Sequence, residues 1–204
     1  MDLHTWLIYL LAAIGLSLSP GPNGLLALTH GALHGWRKAL YTIFGGAFGF
    51  ITVIALSMFG IGALLKTSLV WLTVMKCVGG AYLVWLGIQV WRSPPIGIQV
   101  HASAEPRAGR SLFQQGALSA LTNPKGILFF AAFLPQFIDP GRSLFVQFVI
   151  MAGTFAFIEI ATEVFIASMA HRISPWLRRV GRRFNQTCGG VFMAIGAALP
   201  LRSA

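Results

Sequence analysis

The chain has 204 residues, 56% of them hydrophobic and only 10% charged, with a formal net charge of +10. Soluble domains carry roughly 25% charged residues, so a water-soluble globular fold is excluded, and the long apolar runs describe an all-α, polytopic membrane protein. Nucleic acid is set aside as a partner for the positive charge, because the basic residues lie in short connections between apolar runs, where membrane topology accounts for them.

The first span runs roughly from Thr5 to Leu33, inside an uncharged run from Leu3 to Trp36. No basic segment precedes it and no clear small-residue cleavage site follows, so a retained span is expected rather than a signal peptide. Its middle reads Ser19-Pro20-Gly21-Pro22-Asn23. Each proline removes a backbone donor and clashes with the preceding turn, at about 3 kcal/mol or more. Gly21 weakens the helix further. In a segment this apolar, the pattern reads as a discontinuous transmembrane helix whose freed backbone groups face protein or a wet cavity instead of lipid.

The second span, Ala39 to Leu65, is free of charge and carries Gly45 and Gly49 at a spacing that lets another helix backbone approach closely. The third runs roughly from Thr67 to Trp91 and contains Lys76 and Cys77. Residues 92–110 form the longest polar connection, with Pro94, Pro95, Pro106 and Glu105 among its arginines, and read as a midpoint linker between halves of about 1–91 and 111–204 in one transport domain, 1–204. The fourth span, about Leu112 to Phe137, is interrupted by Thr122-Asn123-Pro124-Lys125. Pro135-Gln136 is expected to terminate it. The fifth, about Leu144 to Ala170, holds Glu159 and Glu163. After a basic loop, the sixth covers roughly Phe184 to Leu201.

Basic residues set the expected orientation. Connections after spans 1, 3 and 5 hold Arg37 and Lys38; Arg92, Arg107 and Arg110; and Arg172, Arg178, Arg179, Arg182 and Arg183. The other side holds Lys66, Arg142 and Arg202. Both termini are therefore expected outside, provided that span 4 crosses the membrane instead of re-entering. The last arginine cluster also suits anionic membrane lipids.

Pro20 and Pro124 lie about half a chain apart. Each is followed by an apolar stretch and then by a glycine-bearing turn with a basic residue, Gly35-Trp36-Arg37-Lys38 and Asp139-Pro140-Gly141-Arg142. Three spans per half is an odd number, so the halves would be inverted relative to one another. Interrupted helices at matching places in inverted halves point to a substrate site near the membrane midplane.

These residues carry a resemblance. Ser19-Pro20-Gly21-Pro22-Asn23 with Gly31 and Gly35-Trp36-Arg37, the stretch KCVGGAYLVWLG from Lys76 to Gly87, and TNPKGILFFAAFLPQF ending at Phe137 resemble, in order and spacing, the helix signatures of the LysE/RhtB family of amino-acid exporters. The resemblance implies a bacterial inner-membrane permease of about six helices in two inverted three-helix repeats. It implies export of a small amino acid or derivative, of the threonine, homoserine or lysine type, coupled to protons or another ion. No enzyme activity and no cofactor are implied, and a homodimer is left open. From Ser143 onward the match is in hydropathy only.

An amino-acid zwitterion needs two opposite partners, and a broken helix offers both. Backbone N–H groups near Asn23 present a positive dipole end to a carboxylate. Carbonyls freed before Pro20 and Pro22, around Leu16 to Leu18, face the ammonium. Ser19, Pro20, Gly21, Pro22 and Asn23 are therefore candidate substrate residues, and Thr122, Asn123, Pro124 and Lys125 supply the mirror-related set. Asn23 and Asn123 read equally as helix caps. Lys125, at bilayer depth, costs roughly 2.5–3.5 kcal/mol on insertion scales and needs a partner or a cavity; Glu159, at similar depth, is the expected ion-pair partner. Glu163 is one turn further on the same face. Two carboxylates so placed hold on to a proton between them, which suits proton coupling. Lys76 either snorkels to the interface or lines the outward path.

Three alternatives are weighed at this level, of which a purely structural membrane protein would not need two matched breaks containing asparagine. A divalent metal-ion exporter would want carboxylates or histidines at the breaks, and the five histidines show no metal-ligand spacing. A membrane thiol–disulfide electron carrier would want paired cysteines beside the breaks, whereas Cys77 and Cys188 lie in spans 3 and 6.

Overall fold

A computed structural model describes residues 1–19, 21–65, 70–92 and 108–198, and every regular element among them is helical. The first apolar run is split as its prolines demand. Helix α1 (Leu3–Leu18) ends at Ser19, where the backbone turns extended at ψ 129°. Helix α2 (Pro22–His34) starts after an extended Gly21. Pro22 occupies its first turn, where the missing N–H would have been unsatisfied anyway. The two helices meet at 54°. Pro20 itself lies outside the described residues.

Helix α3 (Trp36–Leu65) follows through Gly35 alone, at φ +81°, a left-handed turn that a side chain would strain. Helix α4 (Val70–Arg92) comes next; the polar linker 92–110 lies largely outside the described residues. The second half begins with another split pair, α5 (Gly109–Leu121) and α6 (Pro124–Phe133), bent by 50°. A 3₁₀ turn, Leu134–Gln136, ends α6 at the expected proline. The loop before α7 (Leu144–Ser168) is held from beneath by the buried Gln147. Its amide accepts from Asp139 N at 2.8 Å and donates to Asp139 O at 3.0 Å and Arg142 O at 3.3 Å.

Helix α8 (Ala170–Ala198) corrects the sequence reading. The stretch holding Arg172 to Arg183 is not a loop before the last span; its backbone is helical and continuous with it. The reason is legible afterwards: Ile173, Trp176, Leu177, Val180 and Phe184 recur at helical spacing between the arginines, an amphipathic pattern. The side chains of residues 171–181 lie outside the described ones.

Among the described residues, two helical stretches, Trp36–Gly60 and Leu144–Ser168, are long and apolar enough to cross a membrane alone; each bent pair, taken as one span, would make four. Large apolar side chains face outward, among them Leu56 at 70% and Phe157 at 75% exposure, a surface unsuited to water and suited to lipid tails. Inward, Tyr9, Phe133 and Phe137 form one aromatic stack and Phe50, Phe130 and Phe155 another. Tyr9 Oη donates to Met151 O at 2.9 Å and Trp6 Nε1 to Thr154 Oγ1 at 3.1 Å, tying α1 to α7.

Close helix contact rests on glycine. Without a hydrophobic force between helices in lipid, small residues let backbones meet and gain packing contacts. A Cβ at Gly45 would strike Phe113 O, one at Gly49 would lie 2.7 Å from Ala117 O, and one at Gly116 would strike Thr42 O. The face expected on span 2 is thus the α3–α5 contact. Gly87 and Gly189 play the same part between α4 and α8. Gly116→Leu should therefore separate α3 from α5 and lower stability by about 2 kcal/mol or more, whereas Gly153→Ala, with nothing near its Cβ, should not. Melting of both variants in detergent checks this; equal melting temperatures would refute the close-contact account.

Candidate functional site

The site starts from a missing donor. In a helix the carbonyl of residue i receives the N–H of residue i+4. For Leu16 that residue is Pro20, which has no N–H. Ser19 O is freed as well, because the chain leaves the helix there. Both oxygens are taken by one side chain from the other half of the molecule. Lys125 Nζ donates to Ser19 O at 2.7 Å and to Leu16 O at 3.2 Å. The ammonium thus sits on the last carbonyls of α1, the negative end of that helix.

Lys125 is delivered there by the second break. Asn123 caps α6: its Oδ1 accepts from Lys125 N at 3.1 Å and Gly126 N at 3.4 Å. Pro124 fills the first turn. Of the two readings of Asn123, the structure has the cap.

The first break is built differently. Gly21 precedes α2 without a side-chain cap. Asn23 neither caps α2 nor stands free; its Nδ2 donates to Glu163 Oε1 at 2.9 Å. It can sit there because residue 46 on α3 is glycine: a Cβ at Gly46 would strike Asn23 Nδ2.

Glu159 and Glu163, on one face of α7, are 5% and 1% exposed. Glu159 stands among Ser17, Asn23, Glu163 and Lys125. Its Oε2, Glu163 Oε2, Asn23 Oδ1 and the hydroxyls of Ser17 and Ser19 are buried with no hydrogen-bond partner. Buried polar atoms ordinarily have partners, because each unmet one costs about 1–3 kcal/mol. Together they make this the most polar part of the described interior.

Ser17, Ser19, Asn23 and Glu159 border one cavity of about 20 Å³, room for about one water, and Glu163 is joined to it through its bond with Asn23. Ser19, Gly21 and Asn23 enter from the first break, Asn123 and Lys125 from the second, and Glu159 from α7. Phe50 and Phe155, ring centroids 5.3 Å apart, close it with an apolar wall. Gly126 keeps that wall in place, since a Cβ there would lie 2.8 Å from Phe50 Cε1.

Not every candidate joins. Thr122 is exposed and its hydroxyl donates back to Leu118 O at 2.7 Å. Pro22 and Pro124 start helices and do not line the cavity. Lys76 is on α4, with its side chain outside the described residues. The expected Lys125–Glu159 ion pair is not formed: the one ion pair among the described residues is Arg142–Asp139, at 3.1 Å on the surface turn. The freed carbonyls of α1 take the ammonium in its place. Among the described residues no three His, Cys, Asp or Glu side chains are grouped for a metal, and Cys77 and Cys188 are free thiols.

Sequence reasoning missed Ser17, Phe50, Phe155, Gly46 and Gly126. Nothing singles out Phe50 and Phe155 among 16 phenylalanines. Gly126 did have a signal. Pro22-Asn23-Gly24 and Pro124-Lys125-Gly126 open α2 and α6 alike, so by place in the helix Pro124 matches Pro22, one proline later than Pro20, and Lys125 matches Asn23.

Comparison with known proteins agrees with the signatures. The family model described as LysE type translocator matches residues 14–203. The chain is 36% identical over 201 residues to the homoserine/homoserine lactone efflux protein of Salmonella typhimurium strain LT2, covering 98% of this chain and 97% of that one. It is 36% identical over 201 residues to an uncharacterized membrane protein of Vibrio cholerae, with 98% of each covered. It is 32% identical over 200 residues to the leucine efflux protein of Klebsiella pneumoniae, covering 95% and 93%. No solved structure matches.

The Asn23–Glu163 bond is buried, so removing one partner strands the other. Asn23→Ala should destabilise the protein by about 1–3 kcal/mol, and in a double-mutant cycle with Glu163→Ala the losses should fall short of adding by about 1 kcal/mol or more. Strictly additive melting shifts would show that the pair is not formed.

Proposed function

Because the chain belongs to the LysE type translocator family, and is thus a transporter and not an enzyme, we propose that it exports a small amino acid or amino-acid derivative, of the threonine, homoserine or lysine type. The relatives named for homoserine, homoserine lactone and leucine efflux support that substrate class. One observation carries the reading: a cavity between two helix breaks, with freed carbonyls on one side and the uncapped start of α2 on the other. The carbonyls of Leu16 and Ser19 suit the substrate ammonium. The first N–H groups of α2, near Asn23 and Gly24, suit its carboxylate. Phe50 and Phe155 meet the apolar part of the substrate side chain.

In this reading the carrier has six spans: α1 with α2, α3, α4, α5 with α6, α7 and α8. Helices 1–92 and 108–198 form two inverted repeats. Their packing supports it, because each half leans on the other's broken pair: α3 packs on α5, and α7 on α1 and α2. The membrane is the bacterial inner membrane, with both termini outside. Glu159 and Glu163 carry the coupling proton, Asn23 holding the pair in place. Lys76 belongs to the outward path.

A resistance panel tests the substrate. Bacteria expressing the chain should tolerate toxic levels of homoserine, threonine or leucine several-fold better than controls; no resistance and no efflux from cells with good membrane expression would sink the exporter reading. Uptake into inverted vesicles tests the proton. A pH gradient should drive it, and Glu159→Gln or Glu163→Gln should reduce that uptake about tenfold; if both leave it intact, neither carries the proton.

A further inference from the structure

Lys125 does something that neither the family nor the relatives' names assign. Its ammonium lies where a substrate ammonium would be expected. Three facts define that place. Leu16 O and Ser19 O have no helical partner, the first because residue 20 is proline. Both accept from Lys125 Nζ, at 3.2 and 2.7 Å, ordinary lengths for a charged N–H donor. The stem of the lysine passes beside Gly21, where a Cβ would lie 3.4 Å from Nζ and 3.9 Å from Cδ, in ordinary contact with it.

The space says the same. About 20 Å³ remains beside the lysine, enough for about one water and too little for an amino acid. A zwitterion can reach the carbonyls only if Lys125 withdraws. An ammonium carries three donors, and two are spent on these oxygens. A substrate amino group brings the same charge and the same three donors.

We propose that Leu16 O and Ser19 O form an ammonium subsite, and that Lys125 occupies it as a tethered stand-in for the substrate amino group. Substrate loading is then an exchange of one ammonium for another. The carbonyls keep a partner throughout, and the freed lysine is left in the cavity beside the unpartnered carboxylate oxygen of Glu159. This rests on the cavity being the substrate site.

The test is to remove the tether and supply the ion. Lys125→Ala deletes Cγ to Nζ, the atoms of n-propylammonium. Purified Lys125→Ala in detergent should gain about 3 °C in melting temperature with millimolar n-propylammonium chloride. n-Propanol, of the same shape without charge, should give no gain. Potassium chloride at equal ionic strength should give none either; an equal gain would assign the carbonyls to an inorganic cation and overturn the ammonium subsite. Lys125→Met keeps the stem in place and should not respond; a matching shift there would mean binding elsewhere and would overturn the proposal, as would no shift in Lys125→Ala. If Lys125→Ala does not fold, n-propylamine in the growth medium should restore folded protein to the membrane, and failure to do so is equally fatal. The outcome is independent of the resistance panel. Efflux without rescue by the ion removes the stand-in and leaves the exporter; rescue without efflux of any amino acid leaves an ammonium subsite and removes the exporter.

Discussion

A backbone carbonyl inside a membrane cannot be left to water, and Leu16 O has lost its helical donor because residue 20 is proline. Much of the site follows from that deficit. The carbonyl must face protein or a cavity, so the break turns inward. It needs a donor, and Lys125 reaches across from the other half to supply one, together with a bond to Ser19 O. The lysine, costly at this depth by itself, meets the carbonyls' need as they meet its own. Two unfavourable features, set opposite one another, become a polar centre that holds the halves in register.

The two breaks are alike in sequence and unlike in state. Both helices open with proline at the first turn and glycine two places later. Asn123 covers the N–H groups of α6, whereas the start of α2 has no side-chain cap because its cap position is Gly21, and Asn23, inside the helix, is bonded to Glu163. Two breaks of like sequence therefore make an asymmetric site: an ammonium and a capped helix on one side, a helix start without a side-chain cap on the other. In the proposed carrier that asymmetry orients a zwitterion.

Four of the buried polar side chains with an unpaired atom, Ser17, Ser19, Asn23 and Glu159, line this cavity. A protein folded for stability alone would pair or exclude them, since each costs about 1–3 kcal/mol. In the proposed carrier, Ser17, Ser19, Asn23 and Glu159 would meet such partners in the substrate, beside the rings of Phe50 and Phe155.

Much of the architecture was legible in the residues. Low charge and long apolar runs specify membrane helices, and proline specifies where a helix must break, because both effects are local and depend on no neighbour. The orphaned Leu16 carbonyl and the role of Gly35 follow from chain chemistry alone. The amphipathic spacing of Ile173 to Phe184 was equally local, though the arginines between them masked it as a loop. What the sequence could not decide is which side chain answers which unmet group. Lys125 was expected to meet Glu159 and instead meets two carbonyls; Asn23 was expected at a helix start or a ligand and instead holds Glu163; Thr122 turned outward to its own helix. Each choice depends on how closely α1, α3, α6 and α7 approach, a distance set by glycines and aromatic rings far apart in the chain. Local chemistry determined that there would be unpaired groups at the breaks, and only the tertiary packing decided which of them meet.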